Sequence, residues 1–268
     1  TRRSSDLESI RFDDYGEGEL AVLENEISKM TLRLLAQSGQ LQKDKKYLAD
    51  SLADISHQLK TPLTSLEILN AALSQEGIDF EQQSSLLHEQ LLLLSRMEWL
   101  IDVLLKLSRL DAGTIKFENK SFPVEKLVQQ ATAPFDIMLD IKNIKMDISD
   151  IEEIQLYGDI KWLAEALSNV VKNCIESTPD GGQVKISAEE NAMYVKLCVI
   201  DSGTGIAEED IPHLFERFYR GKNSGKNGAG IGLALAKAII TQQNGRIIAE
   251  NIMPCGAKFT IFFDRGVA

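Results

Sequence analysis

The first residue whose type and surroundings could do chemistry is a histidine in a predicted helix. His57 lies in the segment SHQLKTP at residues 56–62. The apolar residues Ile55 and Leu59 flank it at two positions to either side, so a helical wheel turns its imidazole towards solvent, where it can meet another molecule. Pro62 lacks an N–H and therefore predicts a bend one turn beyond the histidine. The alternative is an ordinary surface histidine followed by a proline of no consequence.

A pair of asparagines is the second candidate. Asn169 and Asn173 are four positions apart, which places both amides on one face of a predicted helix. Amide oxygens are suitable hard ligands for Mg²⁺, an ion that keeps several waters and takes other contacts from phosphates. Asparagine pairs at this spacing are common, so the pair alone is a weak signal.

Two glycine-rich turns could bind a nucleotide. The segment DSGTGI at residues 201–206 directly follows an apolar strand, and its aspartate can accept a hydrogen bond from an exocyclic amine. The segment GAGIGL at residues 228–233 precedes an apolar helix, whose first N–H groups would face an anion such as phosphate. Taken alone, the first could be a plain turn at a strand end. The second is neither a Rossmann fingerprint nor a P-loop.

The segment between these turns is predicted to be a mobile lid. Seven of the 18 glycines lie between Gly203 and Gly232. The apolar segment FERFY at residues 215–219 would anchor such a lid to the domain.

Two long helices are expected to carry the histidine. Apolar residues at steps of three, four or seven run from Leu41 to Leu73, after a helical connector in the first 40 residues. A second helix is predicted over about residues 80–110, and its apolar stripe is too wide for one partner helix to cover. The two helices would form an antiparallel hairpin about 50 Å long. Pairing with a second copy as a dimeric four-helix bundle would cover the stripe.

The remainder of the chain, from residue 114, alternates between helical and strand patterns. Helices are predicted near residues 124–139, 159–177 and 231–244. Strands are predicted near residues 144–149, 154–157, 183–190, 193–200, 246–253 and 257–263. The fold class is therefore α plus α/β, with helices packed on one sheet in the second domain.

The composition excludes several other classes of protein. The chain has 268 residues, 44% hydrophobic and 26% charged, and a formal charge of −11. That acidic balance opposes binding to nucleic acid or to an anionic membrane surface. Cys174, Cys198 and Cys255 lack CxxC spacing and are expected to be buried free thiols. With no apolar run that could span a bilayer, the chain is expected to be soluble and cytoplasmic. Because it begins at Thr1, we also expect it to be a piece of a longer protein.

Five motifs occur in order between Ser56 and Leu233: HxxxTP, NxxxN, DxGxGI, FxRFY and GxGIGL. This order resembles the transmitter region of a sensor histidine kinase, over about residues 41–265. In that family a dimeric helical hairpin carries the phosphorylated histidine, and an α/β sandwich shared with gyrase and the Hsp90 chaperones binds ATP. The resemblance implies a connector helix at 1–40, a dimerisation and phosphotransfer hairpin at 41–113 and an ATP-binding domain at 114–268.

The resemblance also implies a role for each matching residue. His57 would take the γ-phosphoryl group from Mg-ATP and pass it to an aspartate on the receiver domain of a response regulator. Asn169 and Asn173 would hold Mg²⁺, and Asp201 would bind the adenine amine. The other implied nucleotide-binding residues are Gly203, Gly205, Ile206, Phe215, Phe218, Arg220, Gly228, Gly230, Gly232 and Leu233. The full-length protein would be a homodimer anchored in the membrane upstream of residue 1.

Two departures from the family pattern bear on phosphoryl transfer. Gln58 stands where an acidic residue usually accepts a proton from the imidazole, and an amide is not a base. Glu176 stands where many members have a phosphate-binding lysine, so Lys172 is the candidate to supply that charge from another angle. Gln58 leaves two alternatives open: a phosphatase-dominant transmitter, or a nucleotide-binding scaffold with weak kinase activity.

Two further positions bear on the reaction. Gyrase-like and chaperone-like relatives use a glutamate four residues before the metal-binding asparagine to activate water. Here Asn169 occupies that place, which favours transfer to a histidine over hydrolysis. Thr61 resembles the family residue that orients water to dephosphorylate the regulator, so the resemblance implies phosphatase activity as a second role.

Overall fold

Two long helices form the first part of the fold. The computed structural model describes residues 19–74, 78–221 and 230–265. Helix α1 covers Glu19–Leu73 and helix α2 covers Phe80–Asp111. Asp79 caps α2 by accepting a hydrogen bond from the backbone N–H of Gln82 at 2.7 Å, an arrangement that satisfies one of the unpaired donors at a helix start. Helix α1 is continuous through residue 40 and through Pro62.

The chain divides into two compact units, Thr1–His57 and Gln58–Ala268. The second unit contains the last part of α1, all of α2 and the whole α/β region. No described helix combines the length and apolarity needed to cross a membrane. Residues 1–18 of the predicted connector lie outside the described residues.

Only part of the wide apolar stripe on α2 is covered within one chain. Leu100 and Leu107 are buried, as are Leu66 and Leu69 on α1. The rest of this wide stripe remains exposed, and its members are Leu87, Leu91, Leu94, Ile101 and Leu105. The exposed stripe extends along most of α2, which is more apolar surface than a soluble helix normally shows to water.

The α/β region contains two sheets. Strands β1 (Lys120–Pro123) and β3 (Gln155–Gly158) form an antiparallel pair. The main sheet has the order β2-β4-β5-β7-β6. Its strands are β2 (Lys145–Ser149), β4 (Gln183–Glu190), β5 (Tyr194–Asp201), β6 (Gly245–Asn251) and β7 (Ala257–Asp264). Strands β2 and β4 are parallel, and the other pairs are antiparallel.

The helices of this region are α3 (Val124–Thr132), α4 (Asp136–Lys142), α5 (Ile160–Ser177) and α6 (Gly232–Gln242). The prediction of one helix over 124–139 is wrong, because a 3-10 turn at Ala133–Phe135 separates α3 from α4. Pro134 lies in that turn and has no N–H to continue the α-helical ladder.

Helix α5 packs against both α3 and α6, and α5 and α6 contact the main sheet. Strand β4 shows the alternation that this packing requires, since Val184, Ile186 and Ala188 are buried. The predicted fold class, helical hairpin followed by an α/β sandwich, is confirmed. The prediction of three buried thiols is wrong for Cys255, which is exposed in the loop between β6 and β7, whereas Cys174 and Cys198 are buried.

Candidate nucleotide site

The asparagine pair lies on α5, and Asn169 faces the start of α6. Buried Asp159 begins α5 by accepting hydrogen bonds from the backbone N–H groups of Lys161 and Trp162. Asn169 donates its Nδ2 to the carbonyl of Glu165 at 2.9 Å. A Cβ atom placed on Gly232 would lie 2.7 Å from Asn169 Oδ1. We use the name α5–α6 cleft for the surface where Asn169 of α5 meets Gly232 at the start of α6.

The α5–α6 cleft suits a hydrated cation and the phosphates beside it. The Asn169 oxygen faces the first turn of α6, where helix N–H groups attract anions. The Asn173 amide is half-buried and forms no hydrogen bond with another described residue. Two amide oxygens without a carboxylate match Mg²⁺, which is bound mainly by waters and substrate phosphates.

Gly232→Ala is expected to weaken Mg-ATP binding about tenfold, since the new methyl would displace the Asn169 amide. The fold should lose less than about 1 kcal/mol, because helices favour alanine over glycine. Titration calorimetry with Mg-ATP and urea denaturation would measure the two effects. Gly39→Ala is the matched control, because Gly39 lies in α1 with nothing near its Cβ position. Unchanged affinity in Gly232→Ala would show that the cleft is not used.

Asp201 ends strand β5 and is almost completely buried. Its Oδ1 accepts hydrogen bonds from the backbone N–H groups of Gly203 at 2.9 Å and Ala257 at 3.2 Å. Burial raises the pKa of this carboxyl group, while those two bonds and one from the Cys174 thiol act in the opposite direction. These contacts fix the carboxylate and leave it acceptor capacity for an amine on a ligand.

Sequence reasoning missed two residues that hold Asp201. Cys174, directly after Asn173 on α5, is fully buried, and burial and nearby Asp201 raise the pKa of its thiol. The thiol therefore stays protonated and can donate to the carboxylate. Gly256 has a φ of +115°, and a Cβ there would overlap the carbonyl oxygen of Asp201. Cys174 could have been noticed from its place beside the asparagine pair, whereas no spacing rule identifies Gly256.

The FERFY segment lies against the α/β core, as predicted for a lid anchor. Phe215 and Phe218 are half-buried and pack on the core. The Tyr219 hydroxyl donates to Oδ1 of buried Asp210 at 2.7 Å, a bond that raises the pKa of Tyr219. A Cβ on Gly230 would lie 2.5 Å from the Tyr219 carbonyl oxygen, so Gly230, at the end of the predicted lid, lies against this segment.

The remaining predicted nucleotide residues have varied surroundings. Ile206 is half-buried and packs on the core, while Leu233 is buried. Arg220 is exposed. Lys172 lies over the ring of Trp99 on α2, with Nζ 4.9 Å from the ring centroid and 3.9 Å from Glu176 Oε1. The predicted lid glycine Gly228 lies outside the described residues.

Polar contacts hold the α/β region against α2. Arg217 donates from Nη2 to both carboxylate oxygens of Asp111, at 2.6 and 2.7 Å. Lys106 bonds Glu165 on α5 at 3.0 Å and Asp102 on its own helix at 2.8 Å. Leu110, near the end of α2, is buried. The asparagine helix and the FERFY segment are therefore both in contact with the hairpin.

The histidine motif lies on α1. His57 and Thr61 are exposed, Gln58 is half-buried and Pro62 is buried inside the helix. The exposure of His57 agrees with the helical wheel. His57 belongs to the first compact unit, whereas Gln58, Thr61 and the nucleotide-site residues belong to the second.

Comparison with known families matches both parts of the chain. The family described as "His Kinase A (phospho-acceptor) domain" matches residues 47–113. The family described as "Histidine kinase-, DNA gyrase B-, and HSP90-like ATPase" matches residues 158–267. The chain is the transmitter region of a sensor histidine kinase. The resemblance seen in the five motifs is thus confirmed.

Individual relatives agree with this family. The transmitter region is 30% identical over 244 residues to the signal transduction histidine-protein kinase BaeS of Escherichia coli, covering 89% of this chain and 51% of BaeS. It is 30% identical over 263 residues to the signal transduction histidine-protein kinase/phosphatase MprB of Mycobacterium leprae, and the match covers 94% of this chain and 47% of MprB. The solved structure of Acinetobacter baumannii histidine kinase AdeS matches with a TM-score of 0.62 and 26% identity. The match covers 78% of this chain and 98% of the solved AdeS chain. The transmitter region spans about half the length of these curated relatives.

Proposed function

We propose that this chain is an autophosphorylating protein kinase that transfers the γ-phosphoryl group of Mg-ATP to His57. The observation that carries the proposal is the arrangement of the α/β region, where the α5–α6 cleft and the buried carboxylate of Asp201 lie in one domain. A phosphate-and-cation site beside an amine acceptor fits a purine nucleotide with a 6-amino group. The exposed imidazole of His57 is the acceptor that the family match supports.

Each part of the site has a role in holding Mg-ATP. In this proposal Asp201 accepts a hydrogen bond from the adenine amine. The amide oxygens of Asn169 and Asn173 are the protein ligands for Mg²⁺, which would neutralise phosphate charge when bound. The residues that shape the base pocket are Gly203, Gly205 and Ile206. The residues that close around the phosphates are Gly228, Gly230, Gly232 and Leu233, with Phe215 and Phe218 anchoring the lid.

Positive charge at the phosphates is assigned to Lys172 and Arg220. Lys172 lies against Trp99 of α2 and near Glu176. In this proposal the ammonium group of Lys172 moves from the Trp99 ring to a phosphate when the nucleotide binds. Nucleotide binding through this lysine would therefore be coupled to the contact between the ATP-binding domain and α2.

The chemical step is an in-line displacement. An imidazole nitrogen of His57 forms a bond to the γ-phosphorus, the bond from that phosphorus to the β,γ-bridging oxygen breaks, and ADP leaves with the electron pair. The imidazole ring then gives up its remaining N–H proton to solvent, because the Gln58 amide cannot accept it. Positioning of the two reactants supplies most of the acceleration.

Dimerisation and cellular context belong to the same proposal. The exposed leucine stripe of α2 supports a homodimer in which two hairpins form a four-helix bundle. The hairpin at residues 41–113 would dimerise and carry the histidine, and residues 114–268 would bind ATP. Residues 1–40 would relay a signal. We place the chain on the cytoplasmic side, as part of a longer sensor anchored in the membrane upstream of residue 1.

A response regulator is the proposed acceptor of the phosphoryl group. Phosphohistidine would pass the group to an aspartate of the receiver domain. We also propose that the same chain dephosphorylates that aspartate, with Thr61 orienting the attacking water. Thr61 is exposed on α1, and the name of the relative MprB includes phosphatase.

Incubation with γ-labelled ATP and Mg²⁺ tests the kinase. We expect the wild-type chain to take up label that is stable to base and labile to acid, and His57→Gln to take up less than about 1% of it, since an amide is not a nucleophile towards phosphorus. Gel autoradiography after acid and base treatment would measure the label.

His88→Gln is the matched control, because His88 is a second exposed histidine on a hairpin helix, and its label should equal that of the wild type. Acid-stable label, or equal label in His57→Gln, would exclude His57 as acceptor. Mg-ATP binding without any label would point to the phosphatase-dominant or scaffold alternative.

A further inference from the structure

Asn251, which no motif includes, pairs with the backbone of the Asp201 turn. It is the last residue of the edge strand β6. Its Oδ1 accepts a hydrogen bond from the N–H of Ile206 at 2.7 Å, and its Nδ2 donates to the carbonyl of the same residue at 2.7 Å. One side-chain amide thus satisfies both backbone groups of Ile206, as a neighbouring strand would.

The pairing between Asn251 and Ile206 lies at the end of the turn that begins at Asp201. The turn begins at Asp201, whose Oδ1 is held by the backbone N–H of Ala257 on β7. It ends after Gly205, which has a φ of +78°. A Cβ on Gly205 would lie 2.9 Å from Asn251 Oδ1, so the amide lies directly against the turn. Asn251 and Ala257 are paired residues of the β6–β7 ladder.

The start of the turn is therefore hydrogen-bonded to Ala257 and its end to Asn251, and these two residues are paired at one end of the β6–β7 ladder. Without Asn251, the start would remain fixed by Ala257 and Gly203, but the backbone groups of Ile206 would bond to water. Ordering a flexible loop when a ligand binds reduces the binding free energy, because the loop loses conformational entropy. A loop that is already ordered before binding avoids this loss. The pairing with Asn251 supplies this order through contacts within the protein itself.

We infer that Asn251 is a positioning residue for nucleotide binding, which holds the turn at residues 201–206 in the conformation that presents Asp201 and Ile206 to the adenine ring. This inference rests on the proposed use of ATP. Asn251 acts through the backbone of Ile206 and not through contact with the nucleotide. Its effect should therefore be on the affinity for ATP and not on the rate of phosphoryl transfer once ATP is bound.

Two variants separate the amide pairing from simple packing. Asn251→Ala removes both hydrogen bonds. Asn251→Asp keeps the size of the side chain and the bond from the Ile206 N–H, but it sets a carboxylate oxygen against the Ile206 carbonyl. We expect both to raise the Kd for Mg-ATP, measured by titration calorimetry, about tenfold. The KM for ATP in autophosphorylation should rise by the same factor, with the maximal rate within twofold of wild type.

Asn191 offers a matched control at the other end of the sheet. It is also an exposed asparagine in a turn beside a strand, and its Oδ1 accepts hydrogen bonds from the backbone N–H groups of Met193 at 2.8 Å and Tyr194 at 2.9 Å. Asn191→Ala removes two hydrogen bonds of the same kind. We expect a similar loss in melting temperature for Asn191→Ala and Asn251→Ala, with the loss of affinity confined to Asn251→Ala.

The outcomes separate this inference from the function on which it rests. A wild-type chain that does not bind Mg-ATP would overturn the proposed function and the inference with it. Normal wild-type binding with unchanged affinity in Asn251→Ala would overturn the inference alone. So would Asn251→Asp with wild-type affinity, because only the shape of the side chain would then matter. A fall in maximal rate at unchanged KM would also contradict it.

Discussion

Asp201→Asn is expected to weaken Mg-ATP binding by at least about 100-fold, or about 2.7 kcal/mol, while the protein remains folded. Asparagine has nearly the same shape, and its Oδ1 can still accept the hydrogen bonds from Gly203 and Ala257. Its NH₂ group, however, is a donor where the adenine amine needs an acceptor, so two donors would face each other. Titration calorimetry with Mg-ATP would measure the loss.

The same variant should be more stable than the wild type near neutral pH. Burial raises the pKa of Asp201, so the folded state favours the protonated carboxyl. An acid whose folded pKa is raised contributes stability below its unfolded pKa, and that stability is lost as pH rises through the folded value. The melting-temperature advantage of Asp201→Asn should therefore be full at about pH 7 and shrink as pH falls towards about 4.

Asp159→Asn is the control for a buried aspartate that accepts backbone hydrogen bonds. Asp159 bonds the N–H groups of Glu118 and Lys161 at the start of α5. Asparagine can still cap α5 through its one oxygen, but its NH₂ group would face the N–H of Glu118, so this variant should lose some stability while it keeps the wild-type affinity for Mg-ATP. Equal ATP affinity in Asp201→Asn and wild type would remove Asp201 from the nucleotide site.

Gly256→Ala is expected to destabilise the domain by at least about 3 kcal/mol. The φ of +115° is one that residues with side chains rarely adopt. The added methyl would also overlap the backbone carbonyl of Asp201, which is the central residue of the proposed nucleotide site. A backbone atom in a sheet cannot move aside as a flexible side chain can. Urea denaturation followed by circular dichroism would give the change in unfolding free energy.

Gly181→Ala separates the cost of backbone conformation from the cost of overlap. Gly181 also has a positive φ, +78°, but nothing lies within 4 Å of its Cβ position. Its replacement should cost only about 1 kcal/mol. If Gly256→Ala costs no more than Gly181→Ala, the close approach between Gly256 and Asp201 does not exist in solution. ATP affinity should be unchanged in Gly181→Ala.

The main elements were predictable because their patterns are long or strongly periodic. All six predicted strands are confirmed to within two residues, and strand β4 alternates as expected for a half-covered sheet. Strand β1 was not predicted, because its four residues include one buried side chain, Phe122, and therefore show no period. The break between α3 and α4 occurs at Pro134, so the sequence could have predicted the end of the first of these helices.

The site was predictable only where the chemistry lies in a compact motif. Asn169 and Gly232 are 63 positions apart in the sequence, yet the structure brings the amide of one against the Cα of the other. The contacts that hold Asp201 and its turn, by contrast, come from Cys174, Gly256 and Asn251, none of which belongs to a motif. The contacts of this cysteine, glycine and asparagine arise from tertiary packing. The spacing of residues along the sequence carries no information about them.

The contact between Lys172 and Trp99 gives the molecule an optical property. An ammonium group over an indole ring interacts with the π electrons that determine tryptophan fluorescence. The sequence has two tryptophans, and the other, Trp162, lies edge-on to Phe117 within the ATP-binding domain. Emission from Trp99 is therefore expected to change when that domain separates from α2, whereas Trp162 lies within the domain and would add a constant background. In Trp162→Phe, the remaining fluorescence would follow domain separation in real time without an added dye.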